Sequence, residues 1–312
     1  MLTPAIITRL KQADSFAMAV QILYDTVYRE FFKEDSAAEN FIKILNLKRK
    51  RLFEFIDKHS FHKEIGQILR AGYDYHNIKV LLKEKIFEIS DTKAVFDVGI
   101  IDIDKITGIF RDETYNMLPK FMHEAVDRAV EIYYSTEHPM LLDLAVDKIM
   151  FKDLLSRSQS LASPLIKDHI RLTIDLANIK TALRIKKLSL NSAIKENIFI
   201  HGGDIDIKAI DLFGNGKTEK IIDVLDKHGL HRLSKAVAEF KENPFAIERE
   251  MDNTLTDNLR PSIFLVWGVE PVFAFGFAVE MELKILRIIL EIKKCGFETE
   301  WIEKRLPETL YN

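Results

Sequence analysis

Apolar residues recur every three or four positions through most of this chain. Between Ser15 and Phe32 the stripe runs Met18, Ile22, Leu23, Val27 and Phe31. Between Ala37 and His59 it runs Phe41, Ile44, Leu45, Leu52, Phe55 and Ile56. Such spacing gathers apolar side chains on one face of an amphipathic helix. The same period predicts helices over Lys120–Tyr134, Leu141–Ser156, Leu165–Leu188, Thr218–His228, Arg232–Lys241, Phe245–Asn258 and Val272–Cys295, with a last short one over Glu300–Thr309. Turn residues are scarce, 12 Gly and 8 Pro in 312, which favours long helices over hairpins.

One helical pattern occurs twice, with a degraded third copy. The first is Arg70-Ala-Gly-Tyr-Asp74-Tyr-His-Asn77-Ile78-Lys79-Val-Leu-Leu82-Lys83-Glu-Lys85, and the second is Arg171-Leu-Thr-Ile-Asp175-Leu-Ala-Asn178-Ile179-Lys180-Thr-Ala-Leu183-Arg184-Ile-Lys186. The third reads Glu282-Leu-Lys-Ile285-Leu286-Arg287-Ile-Ile-Leu290-Glu291-Ile-Lys293. The separations, 175 − 74 = 101 and 282 − 175 = 107, are too long for a solenoid and suggest one helical domain used three times. Asp74 and Asn77 share their stripe with Ile78 and Leu82, as Asp175 and Asn178 do with Ile179 and Leu183. A polar pair on a buried stripe needs hydrogen-bond partners, so the pair is expected to dock a neighbouring helix or connection. Arg70 and Arg171 stand four residues before the Asp, a spacing that permits an ion pair. The third copy has Ala278 and Ile285 where Arg and Asn would stand. That loss suits a packing device better than a chemical site.

Two non-periodic segments follow the first two copies and resemble one another. They are Val95-Phe96-Asp97-Val98-Gly99-Ile100-Ile101-Asp102-Ile103-Asp104 and Ile198-Phe199-Ile200-His201-Gly202-Gly203-Asp204-Ile205-Asp206. Both read Phe-x-x-Gly and then Asp-Ile-Asp, with glycine as punctuation and an Asp able to cap the next helix. They are expected to be connections between domains, at Gly99 and at Gly202 and Gly203. The resulting division is three helical units, 1–97, 98–200 and 201–312, each of ordinary domain size.

Composition narrows the function. Apolar residues make up 47% and charged residues 30%, and the formal net charge is −3, which gives no support to a general nucleic-acid binder. The densest basic run, Lys48-Arg49-Lys50-Arg51, reads first as a solvated helix face and second as a contact to an acidic partner or lipid headgroups. Cys295 is the only cysteine, which excludes an internal disulfide and suits a reducing compartment. Residues 1–21 carry Arg9, Lys11 and Asp14 through their middle, unlike a signal peptide. The most apolar stretch, Pro261 to Val279, is interrupted by Glu270-Pro271 and falls short of the roughly 20 uncharged residues that span a bilayer.

Candidate chemistry is thin. Gly214-Asn-Gly216-Lys217-Thr218 matches the end of a phosphate loop, yet Asp211 stands where the motif needs glycine and no buried strand precedes it. His59-x-x-His62 and His228-x-x-His231 lack the Glu of a zinc-protease helix and have Phe61 and Gly229 between them. No Gly-x-Ser-x-Gly elbow occurs. Cys295 has Lys293 and Lys294 beside it, which reads as a helix C-terminus before Gly296. Trp267 to Ala278 reads as the start of an apolar core helix at Glu270-Pro271, with a partner-binding groove as the alternative. No catalytic, cofactor or metal residues are assigned.

Several of these segments together resemble one family. The two Asp-x-x-Asn-Ile-Lys helices, Phe199 to Gly203, the stretch from Gly268 to Arg287, the opening Leu2-Thr-Pro to Tyr24-Asp25-Thr26 and Leu142-Asp143-x-x-x-Asp147-Lys148-x-x-Phe151 are similar to the C subunit of V/A-type ATP synthases, the counterpart of the d subunit of eukaryotic V-ATPases. The resemblance covers nearly the whole chain; members usually carry a further N-terminal helical segment, after which this chain starts. It implies an all-α fold of three similar bundles about a pseudo-threefold axis, funnel-shaped with a central hollow. It implies a non-catalytic rotor subunit without cofactors, on the cytoplasmic face of the membrane. The implied partners are the central-shaft subunits and the membrane rotor ring of proteolipid subunits. The alternatives are a helical scaffold for another soluble complex, or a nucleotide-binding enzyme using Gly214–Thr218.

Overall fold

The computed structural model describes residues 1–32, 41–88, 94–185, 198–239 and 244–311. Among the described residues the regular structure is all helical. The helices are α1 (Pro4–Gln12), α2 (Phe16–Tyr24), α3 (Arg29–Phe32), α4 (Phe41–His59), α5 (Lys63–Phe87), α6 (Ile103–Arg111), α7 (Lys120–Thr136), α8 (Pro139–Ser160), α9 (Pro164–Ile185), α10 (Ile207–Gly214), α11 (Thr218–Lys227), α12 (His231–Ala238), α13 (Pro244–Leu259), α14 (Glu270–Lys294) and α15 (Thr299–Arg305). Short 3-10 turns lie at Tyr115–Met117 and Arg260–Phe264. Lys186 and the predicted helix ends at 37–40, 186–188 and 240–241 fall outside the described residues.

The described residues form two compact units, 62–224 and the combination of 1–61 with 225–312. In the first, the apolar faces of α5, α6, α7 and α8 meet in one core. Ala71, Tyr75, Ile78 and Leu82 of α5 pack with Ile106 and Phe110 of α6, Met122 and Val126 of α7, and Leu142 and Val146 of α8. The i, i+3, i+4 spacing of these residues is what makes the helices form here. Burying each large apolar side chain contributes roughly 1.5–3 kcal/mol, which no isolated helix in water would gain. Helix α9 packs on α8 and on α10.

In the other unit α14 is the central helix. Phe273, Ala274, Ala278, Leu283, Ile285, Leu286, Ile289 and Leu290 are buried along it. It packs against α4, where the Phe55 and Phe275 rings meet edge to face at 5.8 Å, and α2 and α15 lie against it as well. Arg49 of α4 forms an ion pair with Glu280 of α14 at 3.1 Å, and Lys48 lies over the Tyr28 and Phe31 rings. Two members of the basic run thus face the protein rather than solvent.

The single stripe expected over residues 15–32 is two helices. Thr26 causes the break: its hydroxyl donates to the carbonyl of Leu23 at 2.7 Å and accepts the amide of Tyr28 at 3.2 Å, so the backbone turns where a helix would continue. Met18 and Val27, placed on the stripe by periodicity, are exposed. The turn carries Tyr28 into the interior, where it is fully buried.

Candidate functional site

The repeated helix builds an organised polar arrangement in the unit 62–224. Asp74 and Asn77 of α5 are both completely buried. The Asp74 carboxylate accepts the amides of Ile100 at 2.7 Å and Ile101 at 3.0 Å. Asn77 accepts the Phe96 amide and donates to the Phe96 carbonyl, both at 2.8 Å. The helix therefore carries a side-chain seat for the turns of the connection, pairing partly buried backbone groups that helix hydrogen bonds do not reach. Asp102 follows directly and caps α6 by accepting from Asp104 and Lys105.

Helix α9 repeats the arrangement. Asp175 accepts from Asp204 at 2.9 Å and Ile205 at 3.1 Å, Asn178 pairs with both backbone groups of Ile200 at 2.8 Å, and Asp206 caps α10. These bonds fix the true correspondence of the two connections. Phe96 matches Ile200, Gly99 matches Gly203, and Asp102 matches Asp206. The Phe96–Phe199 pairing suggested by the shared Phe-x-x-Gly pattern is off by one position. From Asp to Gly the intervals are 99 − 74 = 25 and 203 − 175 = 28, so the second connection carries three extra residues.

Close approach explains the glycines. A Cβ at Gly99 would lie 2.4 Å from Asp74 Oδ1, and one at Gly203 would lie 2.0 Å from Asp175 Oδ1. The carboxylate occupies the volume that any other residue would fill. Gly202 has a different reason, a φ of +111° that L side chains rarely adopt.

Burial dominates the electrostatics of the first seat. It pushes the Asp74 carboxyl up from 3.8 to about 6, against the pull of the Ile100 and Ile101 amides and of the Arg70 and Arg157 charges. Nearby, the buried Tyr75 donates to Asp153 at 3.0 Å, and Asp153 also holds Arg157 at 2.8 Å. Arg70 donates to the Gly66 carbonyl at 3.2 Å, and Arg171 forms an ion pair with Asp204 of the second connection. Lys79 pairs with Asp147 and Lys83 with Asp143 of α8, Lys180 is exposed, and Arg287 pairs with Glu291 one turn along.

The third copy holds something else. Glu282, buried in α14, accepts the backbone amide of Leu2 and, at 2.7 Å, the hydroxyl of Tyr28. Periodicity placed Glu282 on the buried face, but its partners lie far away in sequence and left no local signal.

The other candidates have ordinary geometry. Gly216 ends α10 with a φ of +94°, and the Lys217 and Gly216 amides donate to the Leu212 and Phe213 carbonyls. That is a helix stop, and its amides face carbonyls rather than a phosphate. His59 bonds the Phe55 carbonyl, His231 bonds Asp226, and among the described residues no three His, Cys, Asp or Glu side chains gather where they could hold a metal ion. Cys295 is exposed at the end of α14. Of the apolar stretch, the part from Phe273 onward is buried in α14, whereas Phe264, Val266 and Trp267 are 84%, 82% and 87% exposed. No helix among the described residues is long and apolar enough to cross a membrane.

Comparison with known proteins sets these seats in a family. The model described as ATP synthase (C/AC39) subunit matches residues 1–305. The chain belongs to this family. The C subunit of a V-type sodium ATPase from Enterococcus hirae is 23% identical over 300 residues, covering 95% of this chain and 90% of that one. The C subunit of an A-type ATP synthase from Thermoplasma volcanium is 26% identical, covering 90% and 86%. Its namesake from Methanocaldococcus jannaschii is 22% identical over 252 residues, covering 77% of this chain and 59% of its own length. The relatives are C subunits of a V-type sodium ATPase and of A-type ATP synthases.

Proposed function

We propose that this protein is a non-catalytic central-stalk subunit of a V/A-type ATPase or ATP synthase, a socket that joins the central shaft to the membrane rotor ring and transmits torque. The observation that carries the reading is the family match over residues 1–305. The repeated polar positions agree with it, because in every copy they dock the chain's own backbone or side chains. In this reading the three units 1–97, 98–200 and 201–312 are similar bundles about a pseudo-threefold axis, forming a funnel with a central hollow. The partners are the shaft subunits of the soluble sector and the proteolipid ring, and the protein sits on the cytoplasmic face of the membrane through that ring.

A rotor socket must be stiff, since torque transmitted through a compliant body is stored as distortion. Buried carboxylate seats that clamp the connections supply such stiffness at the joints between helical bundles. Deleting the gene in its host tests the role. ATP hydrolysis should lose its coupling to ion pumping, or the soluble sector should leave the membrane. Coupled pumping at the normal rate without this protein would refute the proposal.

A further inference from the structure

We infer that the loop from Pro261 to Val269 is a preformed apolar projection that seats in an apolar cleft of a neighbouring protein subunit, an inference that rests on the rotary-assembly reading above. Its residues, Pro-Ser-Ile-Phe-Leu-Val-Trp-Gly-Val, carry no charge. Pro261 and every residue from Ile263 to Gly268 are exposed. An apolar run of this kind is unfavourable wherever water covers it, and on a folded protein it marks a surface that another body covers.

The chain itself holds the projection in shape. Arg260–Phe264 form a 3-10 turn, in which the buried Ser262 hydroxyl donates to the Leu259 carbonyl at 2.6 Å and the Leu265 amide donates to the Ser262 carbonyl at 3.1 Å. At the start of the loop Arg260 donates to Asp257 at 2.7 Å and to Glu308 at 3.1 Å. At its end Gly268 has a φ of +113°, and a Cβ there would lie 2.5 Å from Glu270 Oε2, so the chain turns into α14 directly over that carboxylate. A loop ordered before it binds loses little conformational freedom on docking.

Charge and area select the occupant. An anionic lipid surface attracts Lys and Arg. The loop has neither, the cation at its base is matched by Asp257 and Glu308, and Glu270 adds a carboxylate at the other end. A second copy fits no better. The exposed parts of Phe264, Val266 and Trp267 offer on the order of 500 Å². Two such loops face to face would bury about 1,000 Å², short of the roughly 1,200–2,000 Å² of stable interfaces. An apolar cleft on a protein subunit takes in the two aromatic rings and the valine without a charge partner, and the loop then serves as an anchor inside a wider contact.

Trp267 and Trp301 are the chain's two tryptophans, so Trp301→Phe leaves Trp267 as the reporter. The probes are membranes, and the released soluble sector, from a strain lacking this protein. With one of the two, Trp267 emission should move to the blue as the indole leaves water, and Val266→Asp should weaken that binding at least about tenfold. Val266 is exposed, so the variant keeps its fold, which circular dichroism checks, and Phe264→Ser is a second, milder variant. Binding of the unaltered loop to neither probe would overturn the rotary-assembly reading and this inference with it. Binding that leaves Trp267 emission unmoved and is as tight in Val266→Asp would overturn the role of the loop alone. The same blue shift on protein-free vesicles of phosphatidylethanolamine and phosphatidylglycerol would make the occupant lipid, and a shift that follows protein concentration alone would make it a second copy; either result overturns the proposal.

Discussion

Gly203→Ala isolates the physical basis of the second seat. The new Cβ would stand 2.0 Å from Asp175 Oδ1 and 2.7 Å from Asp175 Cγ. A carbon–oxygen contact needs roughly 3 Å or more, so the carboxylate must leave. It cannot do so and keep its bonds to the Asp204 and Ile205 amides, at 2.9 and 3.1 Å. Each bond to a charged group is worth about 1.5–3 kcal/mol, which puts the loss at about 3–4 kcal/mol after partial relaxation. Asp175→Ala removes the same bonds by another route and should cost about as much. It also vacates the volume that the new methyl needs. The double variant should therefore cost about 3–4 kcal/mol rather than twice that, a coupling of about 3 kcal/mol where distant sites would add within about 0.5. Urea unfolding followed by circular dichroism on the four proteins measures it. Gly202→Ala is the control: its penalty comes from the φ of +111° and from Leu155 Cδ1 at 2.7 Å, so Asp175→Ala should not relieve it. Additive costs for Gly203→Ala and Asp175→Ala would refute the reasoning.

Other expectations follow from the same geometry. The Asp74 carboxyl, raised from 3.8 to about 6, is more protonated in the folded state than in the unfolded one between those values. Stability from this group is therefore fully present below about pH 4 and lost as pH rises through 6, a swing of about 3 kcal/mol in order of magnitude. Comparing unfolding free energies of wild type and Asp74→Asn across pH 4–7 should show that slope in the wild type and its loss in the variant. Asn77→Asp should destabilise at pH 7 by about 3 kcal/mol, because a carboxylate would face the Phe96 carbonyl that Asn77 now bonds at 2.8 Å. Acidification should recover part of that loss by restoring a donor, which thermal melts at pH 4 and pH 7 would reveal. Replacing the exposed Phe264, Val266 and Trp267 with Ser should change unfolding stability by no more than about 0.5 kcal/mol per site. Recovery of the variant with the rotary assembly should nonetheless fall, since a run of exposed apolar side chains on one loop marks a contact surface; undiminished recovery would remove that loop from the contact.

What the sequence made legible was the regular part. Helices α5, α9 and α14 are long and strictly periodic, so their existence and buried faces could be read directly. The docking role of Asp74, Asn77, Asp175 and Asn178 was legible too, because a polar pair on an apolar stripe must find partners. The register of the connections was not. The second is three residues longer than the first, and matching Phe with Phe hid the correspondence that only the backbone hydrogen bonds reveal. The Gly99 and Gly203 requirement was visible as glycine, but its cause is a carboxylate 25 or 28 residues earlier in the chain. The third seat was the least legible. Its partners lie 280 and 254 positions from Glu282, where no local pattern could point to them. Trp267, grouped with the apolar core-helix segment, is exposed because hydropathy reports composition and not which side of a loop meets solvent.

The rotor reading is tested most directly by recovery from membranes. Tagged protein expressed in its host, solubilised in mild detergent and purified, should bring down both the proteolipid ring and the central-shaft subunits in one complex. Recovery of neither, from membranes in which both are shown to be present and assembled, would contradict the account.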